Sequence, residues 1–166
     1  MCGASTIAAP ATADATMQIR PLQATDRAAW QPLWDGYNAF YGRAGGTALP
    51  AEITDTTWAR FLDAAEPIHA LVAVDDAGRL LGLVHYLFHR SSNRVEPVCY
   101  LQDLFTASEA RGQGVGRALI EAVYAAAQAA GTRRVYWHTQ DTNATARALY
   151  DRLAAHAGFI VYTHDA

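Results

Sequence analysis

The sequence predicts an α/β (α+β) fold, a single domain built on a mixed central sheet. Three observations predict it. The hydrophobic period switches repeatedly between helical and extended, giving the order β-α-α-β-β-β-α-β-α-β. Extended segments flank an alanine-rich helix over 114–130, which implies a crossover within one sheet. The chain has 166 residues, enough for one core, and no repeat or linker divides it.

Each element has its own signal. "MQIRPL" (17–22) is a short first strand. In "ATDRAAWQPLWDGYNAFYG", Trp30, Leu33, Trp34, Tyr37, Phe40 and Tyr41 recur at three- and four-residue steps, which predicts a helix with a wide aromatic face. Thr25 or Asp26 is its candidate N-cap. "EITDTTWARFLDAA" (52–65) is a second, shorter helix. Two apolar runs within 69–90 flank Asp75-Asp76-Ala77-Gly78, a turn sequence, and so predict a hairpin. "VCYLQDLFT" (98–106) is a further strand. Leu119, Ala122, Val123 and Ala126 stripe the 114–130 helix, which Gly131 stops. "RRVYWHT" (133–139) is a strand, 143–157 a helix closed by Gly158, and "FIVYTH" (159–164) a last strand.

Composition narrows the class. Apolar residues make up 51% and charged residues 17%, as in an ordinary globular protein. A net charge of −3 opposes a nucleic-acid binder, which normally carries a basic excess. Cys2 and Cys99 are too few for a disulfide framework or a metal site, so a reduced, cytoplasmic setting is expected. The first sixteen residues have neither a basic start nor an apolar run; they are expected to form a disordered extension, with the domain over 17–166. No run reaches the length of a membrane span.

The chemistry concentrates in "ARGQGVGRAL", where Gly112, Gly114 and Gly116 occupy three of five positions before a helix. Glycines let the main chain turn tightly and present N–H groups with no Cβ in the way. Free amides and the positive end of the helix dipole together suit an anion of pyrophosphate size. A P-loop would need Gly-Lys-Ser/Thr, whereas Arg117-Ala118 follows Gly116. The dinucleotide fingerprint has a different spacing and stands nearer the start of its fold.

Arg/Gln-x-x-Gly-x-Gly/Ala does fit, as Arg111, Gly114 and Gly116. With "YLQDLF" ahead of it and "VYWHTQDTNATARALYDRLAAHAGFIVY" behind, the chain over 17–164 resembles the GCN5-related N-acetyltransferase (GNAT) family. It looks nearest to the small polyamine- and histone-type members. The resemblance implies acetyl-CoA as cosubstrate, no metal, and direct attack in a ternary complex. The loop Arg111, Gly112, Gln113, Gly114, Val115, Gly116 and Arg117 would hold the pyrophosphate. The strand bearing Leu104, Phe105 and Thr106 would splay from the 133–139 strand and bond the pantetheine arm.

The resemblance also implies roles at the reacting end. Tyr150 would protonate the leaving sulfur, although it shares an apolar helical stripe with Ala146, Leu149 and Leu153, and packing alone also accounts for it. Asn143 would contact the coenzyme arm, cap its helix, or both. Similar polyamine enzymes carry two acidic residues where this chain has Gln102-Asp103, so Asp103 is the candidate base; a carboxylate bonded to neighbouring backbone is the plainer alternative. Tyr37, Tyr41, Tyr86 and Gln102 are candidate acceptor-binding residues, since aromatic walls attract ammonium groups. Trp34 is better explained as core. His85 and His89 share a strand face, but the histidines lack ligand spacing and are expected to be solvent-facing or hydrogen-bonded.

The expected acceptor is a primary amine, a polyamine or other small cation first, with amino acids, antibiotic amines and protein lysines behind. A coenzyme A sensor without turnover is the rival reading. A homodimer would use exposed aromatics of the last strand.

Overall fold

The structure is a computed structural model, and it describes residues 17–165. The expected N-terminal extension over 1–16 lies outside the described residues.

Apolar runs too long to be half-exposed become the central strands. β1 (Gln18–Pro21), β2 (Ile68–Val74), β3 (Leu80–His89) and β4 (Val98–Thr106) pair antiparallel in that order, and β5 (Val135–Tyr136) joins β4 in parallel. Helices α1 (Arg27–Phe40) and α2 (Ala51–Leu62) cover one face of the sheet. They bring Trp30, Trp34 and Phe61 onto His85 of β3. The other face takes α3 (Val115–Ala129), whose Leu119, Ile120 and Val123 are fully buried. Gly82 of β3 lets α3 and β4 approach: a Cβ there would lie 2.7 Å from the Phe105 carbonyl oxygen and 3.0 Å from Val115. α4 (Ala144–Tyr150) packs at the N-terminal end of α3, with Leu149 against Gly116.

The hairpin turn, the long aromatic helix and the crossover helix lie where the sequence places them. The C-terminal part does not follow expectation. The helix expected to reach 157 ends at Tyr150, where Arg152 N–H to Leu149 O and Leu153 N–H to Tyr150 O tighten the chain into i→i+3 turns. No strand forms over 159–164, and Phe159, Ile160, Val161 and Tyr162 are between 60 and 86% exposed. A strand needs an edge to pair with, and β5 offers two residues. No helix among the described residues is long and apolar enough to cross a membrane.

Candidate active site

Between the end of β4 and the start of α3, the chain makes the turn that the three glycines announce. Gly112 (φ 77°) and Gly114 (φ 83°) adopt left-handed backbone that only glycine enters without strain, and a Cβ on either would project into open space. The first bond of α3 runs from Ala118 N–H to the Gly114 carbonyl, 3.0 Å. Amides of Val115, Gly116 and Arg117 therefore have no acceptor within the helix. Residues 111–114 and Arg117 are exposed, while Val115 is buried and pins the turn to the core. Arg111 is anchored by its Nε to the Thr106 carbonyl, 3.4 Å, with its guanidinium 5.9 Å from the Phe105 ring centroid. Gln113 donates to the Glu109 carbonyl, 2.9 Å. This donor set, open and backed by a helix N-terminus, fits a pyrophosphate.

The neighbouring strands part as the splayed arrangement requires. Among the described residues β4 and β5 pair only at Cys99–Val135 and Tyr100–Tyr136, and beyond these the edge of β4 through Thr106 has no strand partner. Leu104, Phe105 and Thr106 lie on that free edge. Phe105 turns its ring to α1, filling the space a Cβ on Gly36 would need.

At the parting point β4 carries a bulge. His85 pairs with Asp103 but Tyr86 pairs with Leu101, leaving Gln102 unpaired in the ladder. Gln102 is exposed, whereas Asp103 is 6% exposed and turned toward α1. Among the described residues its carboxylate is bonded not to neighbouring backbone but to a side chain: Oδ2 lies 2.9 Å from His85 Nδ1. The plainer sequence alternative is thereby replaced. Tyr37 lies against the same carboxylate; burial first, then the Asp103 charge and hydrogen bond, push its phenol pKa far up. Tyr41 is raised for the same leading reasons, burial and then Asp103, with Arg43 opposing. Trp34 stacks on Tyr37 with centroids 5.5 Å apart, and Tyr41 continues the wall with its ring tilted 59° to that of Tyr37 at 5.1 Å.

Asp103, Gln102 and Trp34 also line a cleft of about 280 Å³, together with Thr57, Arg60 and Glu66. Trp34 therefore serves the core, at 6% exposed, and the cleft wall as well. Arg60 Nε lies 3.8 Å from Glu66, a loose pair at the surface. The cleft thus holds fixed charge of both signs.

Tyr150 ends α4 with its ring edge-on to Trp137, 5.3 Å between centroids. Burial pushes its hydroxyl pKa up to about 12, with Tyr41 a smaller cause, so Tyr150 and Tyr41 share one electrostatic neighbourhood. Asn143 caps α4: its Oδ1 accepts from Ala146 N–H at 3.3 Å and its Nδ2 donates to Thr139 at 3.2 Å. Tyr86 does not join the group. It points to the face opposite His85, where its ring meets His69 and Phe88. Strand alternation decides this, because His85 is its neighbour in β3.

Two participants escape a reading of the sequence alone. His85 carries one signal, a polar residue inside the apolar run "LLGLVHYLF". Arg60 carries none; only the packing of α2 against β2 brings it to the cleft that Asp103 lines. Among the described residues no group of three or more His, Cys, Asp or Glu could hold a metal ion.

Comparison with known proteins accords with this geometry. The model of the Acetyltransferase (GNAT) family matches residues 30–155. The D-amino-acid N-acetyltransferase HPA3 of Saccharomyces cerevisiae is 38% identical over 148 residues, covering 89% of each chain. An uncharacterized N-acetyltransferase, YhfO of Bacillus subtilis, is 29% identical over 88% of this chain and 95% of its own. Among solved structures, the fold is shared with AAC(6')-Iy in complex with a bisubstrate analog, at a TM-score of 0.77, 20% identity, and coverage of 91% and 99% of the two chains.

Proposed function

Since the chain belongs to the acetyltransferase (GNAT) family and is an N-acetyltransferase, we propose that it acetylates the primary amine of a small molecule, with an amino acid as the first acceptor. The observation that carries this is the unpaired edge of β4, which runs from buried Asp103 to the open amides after Arg111. An extended arm laid along that edge joins an anion-binding turn at one end to a carboxylate at the other.

Acetyl-CoA, when bound, supplies an acetyl group activated by a thiolate leaving group. Amides at 112–117 and the Arg111 and Arg117 side chains offset the pyrophosphate charge. Main-chain groups of Leu104–Thr106 align the arm, and an N–H there polarises the carbonyl. Asp103 takes a proton from the attacking ammonium, since only the neutral amine has a lone pair. Tyr150 keeps its proton for the departing sulfur. Asn143 holds the entry to α4 and with it Tyr150.

Acceptor choice follows from the cleft. An amino acid presents an ammonium and a carboxylate; Asp103 matches the first and Arg60 the second. The yeast relative's name supports the same substrate class. A polyamine would place a second positive charge near Arg60, which Glu66 only partly offsets, so it stands second. Tyr37, Tyr41 and Gln102 act as walls and rim for either.

The test is thiol release from acetyl-CoA with a panel of D- and L-amino acids, polyamines and aminoglycosides, run on wild type, Asp103→Asn and Arg60→Ala. The reading expects amino acids to lead, Asp103→Asn to lose about 100-fold or more in kcat, and Arg60→Ala to raise KM for amino acids but not for diamines. Coenzyme A binding with no release for any amine would sink it.

A further inference from the structure

His85 is 0% exposed, surrounded by rings: its centroid lies 4.3 Å from Phe61, 5.4 Å from Trp34 and 6.0 Å from Trp30. A polar ring in such a place costs stability unless both nitrogens are satisfied. Both are. Trp30 Nε1 lies 3.2 Å from His85 Nε2, and His85 Nδ1 lies 2.9 Å from Asp103 Oδ2.

These two bonds fix the proton. An indole N–H can only donate, so Nε2 must accept and carries no hydrogen. The ring proton then sits on Nδ1 and is donated to the Asp103 carboxylate. Adding a proton at Nε2 would set it against the indole N–H, so His85 is poorly built to relay protons. It is well built to hold Asp103 still.

We propose that His85 is a positioning residue for acetyl transfer: Trp30 locks its tautomer, and its Nδ1–H occupies Oδ2 of Asp103 and thereby aims Oδ1 at the acceptor amine. The kinetic half of this inference rests on Asp103 acting as the base. The groups that surround the carboxylate agree with a fixed orientation. Tyr37 approaches it from α1, Tyr41 from the residue that ends α1 and Tyr100 from β4, each with its phenol pKa raised by burial first and by the Asp103 charge next. Arg43 stands beyond Tyr37 and Tyr41, over the ring of Tyr41 at 5.4 Å and that of Tyr37 at 5.8 Å. Arg60 and Glu66 lie in the cleft itself. His85 contributes the only imidazole hydrogen bond to this carboxylate among the described residues.

Ordinary core packing would be served as well or better by an apolar residue. A merely structural role also predicts that variants lose activity only as they lose fold. Positioning predicts a different pattern. His85→Leu removes the donor and should lower kcat by about 100-fold, while acceptor KM and coenzyme A affinity stay within about threefold. His85→Asn can keep an N–H directed at Asp103 and should recover most of that loss. Thermal melts on both variants separate kinetics from folding.

The tautomer is tested directly, without turnover, by ¹⁵N NMR of imidazole-labelled wild-type protein at neutral pH. The expected spectrum shows a His85 ring protonated at Nδ1 and bare at Nε2, and Trp30→Phe should release that preference. A ring protonated at Nε2 overturns the proposal whatever the enzyme acetylates. So does a folded His85→Leu protein with wild-type kcat. Wild-type turnover that survives Asp103→Asn would instead remove the base assignment, and the aiming role of His85 with it, while leaving the tautomer measured.

Discussion

Replacing Tyr150 by phenylalanine separates its proposed role as proton donor from the packing around it. The ring is held edge-on to Trp137 at 5.3 Å, a contact phenylalanine keeps. The hydroxyl makes no hydrogen bond to protein among the described residues, so the change breaks none. Folding stability should therefore move by no more than about 0.5 kcal/mol. The chemical step is a different matter. Because burial lifts the hydroxyl pKa to about 12, only about one molecule in 10⁴ would lack this proton at a pH of roughly 8. The donor is then fully loaded throughout an ordinary assay. Losing general-acid assistance costs about 10²–10⁴ in rate, or roughly 3–5 kcal/mol of barrier.

Two measurements read this. Thiol release at saturating acetyl-CoA gives kcat, and calorimetric titration with coenzyme A gives Kd. The expected result is a kcat lower by at least about 100-fold with Kd unchanged within about twofold. A variant that binds normally and turns over within about threefold of wild type would refute the donor role and leave Tyr150 as a packing residue.

Three further outcomes are expected. Gly114→Ala forces a φ of 83° on a residue with a Cβ but meets no atom within 4 Å. It should cost roughly 1–2 kcal/mol in a denaturant melt and weaken coenzyme A binding in the same calorimetric titration, since the amides turn with the backbone. Gly82→Ala puts a Cβ 2.7 Å from a main-chain oxygen that cannot move without shifting β4; a Tm drop corresponding to at least about 1–3 kcal/mol is expected. In base, the raised Tyr150 phenol lends stability that is complete below an ordinary tyrosine pKa of about 10 and is lost as pH climbs through about 12. Tyr37 and Tyr41 act in the same direction, so alkaline melts should fall steeply in that window, less so in Tyr150→Phe.

Local signals read well from this sequence where they are self-sufficient. The Gly112–Gly114 turn is legible because positive φ is a property of single residues, and the aromatic face of α1 because its spacing is helical. Asp103 is legible by its place in "YLQDLF", yet its partner is not, since a register bulge at Gln102 decides which side chains face which. Tyr86 goes astray for a related reason: a strand run that is apolar on both faces hides the alternation that would have assigned it. The run at 159–164 has the composition of a strand, but composition cannot report whether an edge is available, and two paired residues in β5 leave none. Burial of His85 depends on α2 closing over β3, a contact without any local trace.

Tyr150 and Asp103, the proposed acid and base, lie along one aromatic wall. The donor must keep its proton at neutral pH, and burial of Tyr150 against Trp137 does that by disfavouring phenolate. The carboxylate proposed as the base is held in place from two sides: His85 Nδ1 lies 2.9 Å from Oδ2, and Tyr37 lies against the same group. Tyr41 feels the Asp103 charge and is itself felt by Tyr150, so it stands electrostatically between the proposed base and the proposed acid. Tyr41→Phe should then disturb both ends modestly and neither completely. A loss as large as those of Tyr150→Phe and Asp103→Asn combined, in the thiol-release assay, would mean that Tyr41 itself carries a proton and that the division of roles is wrong.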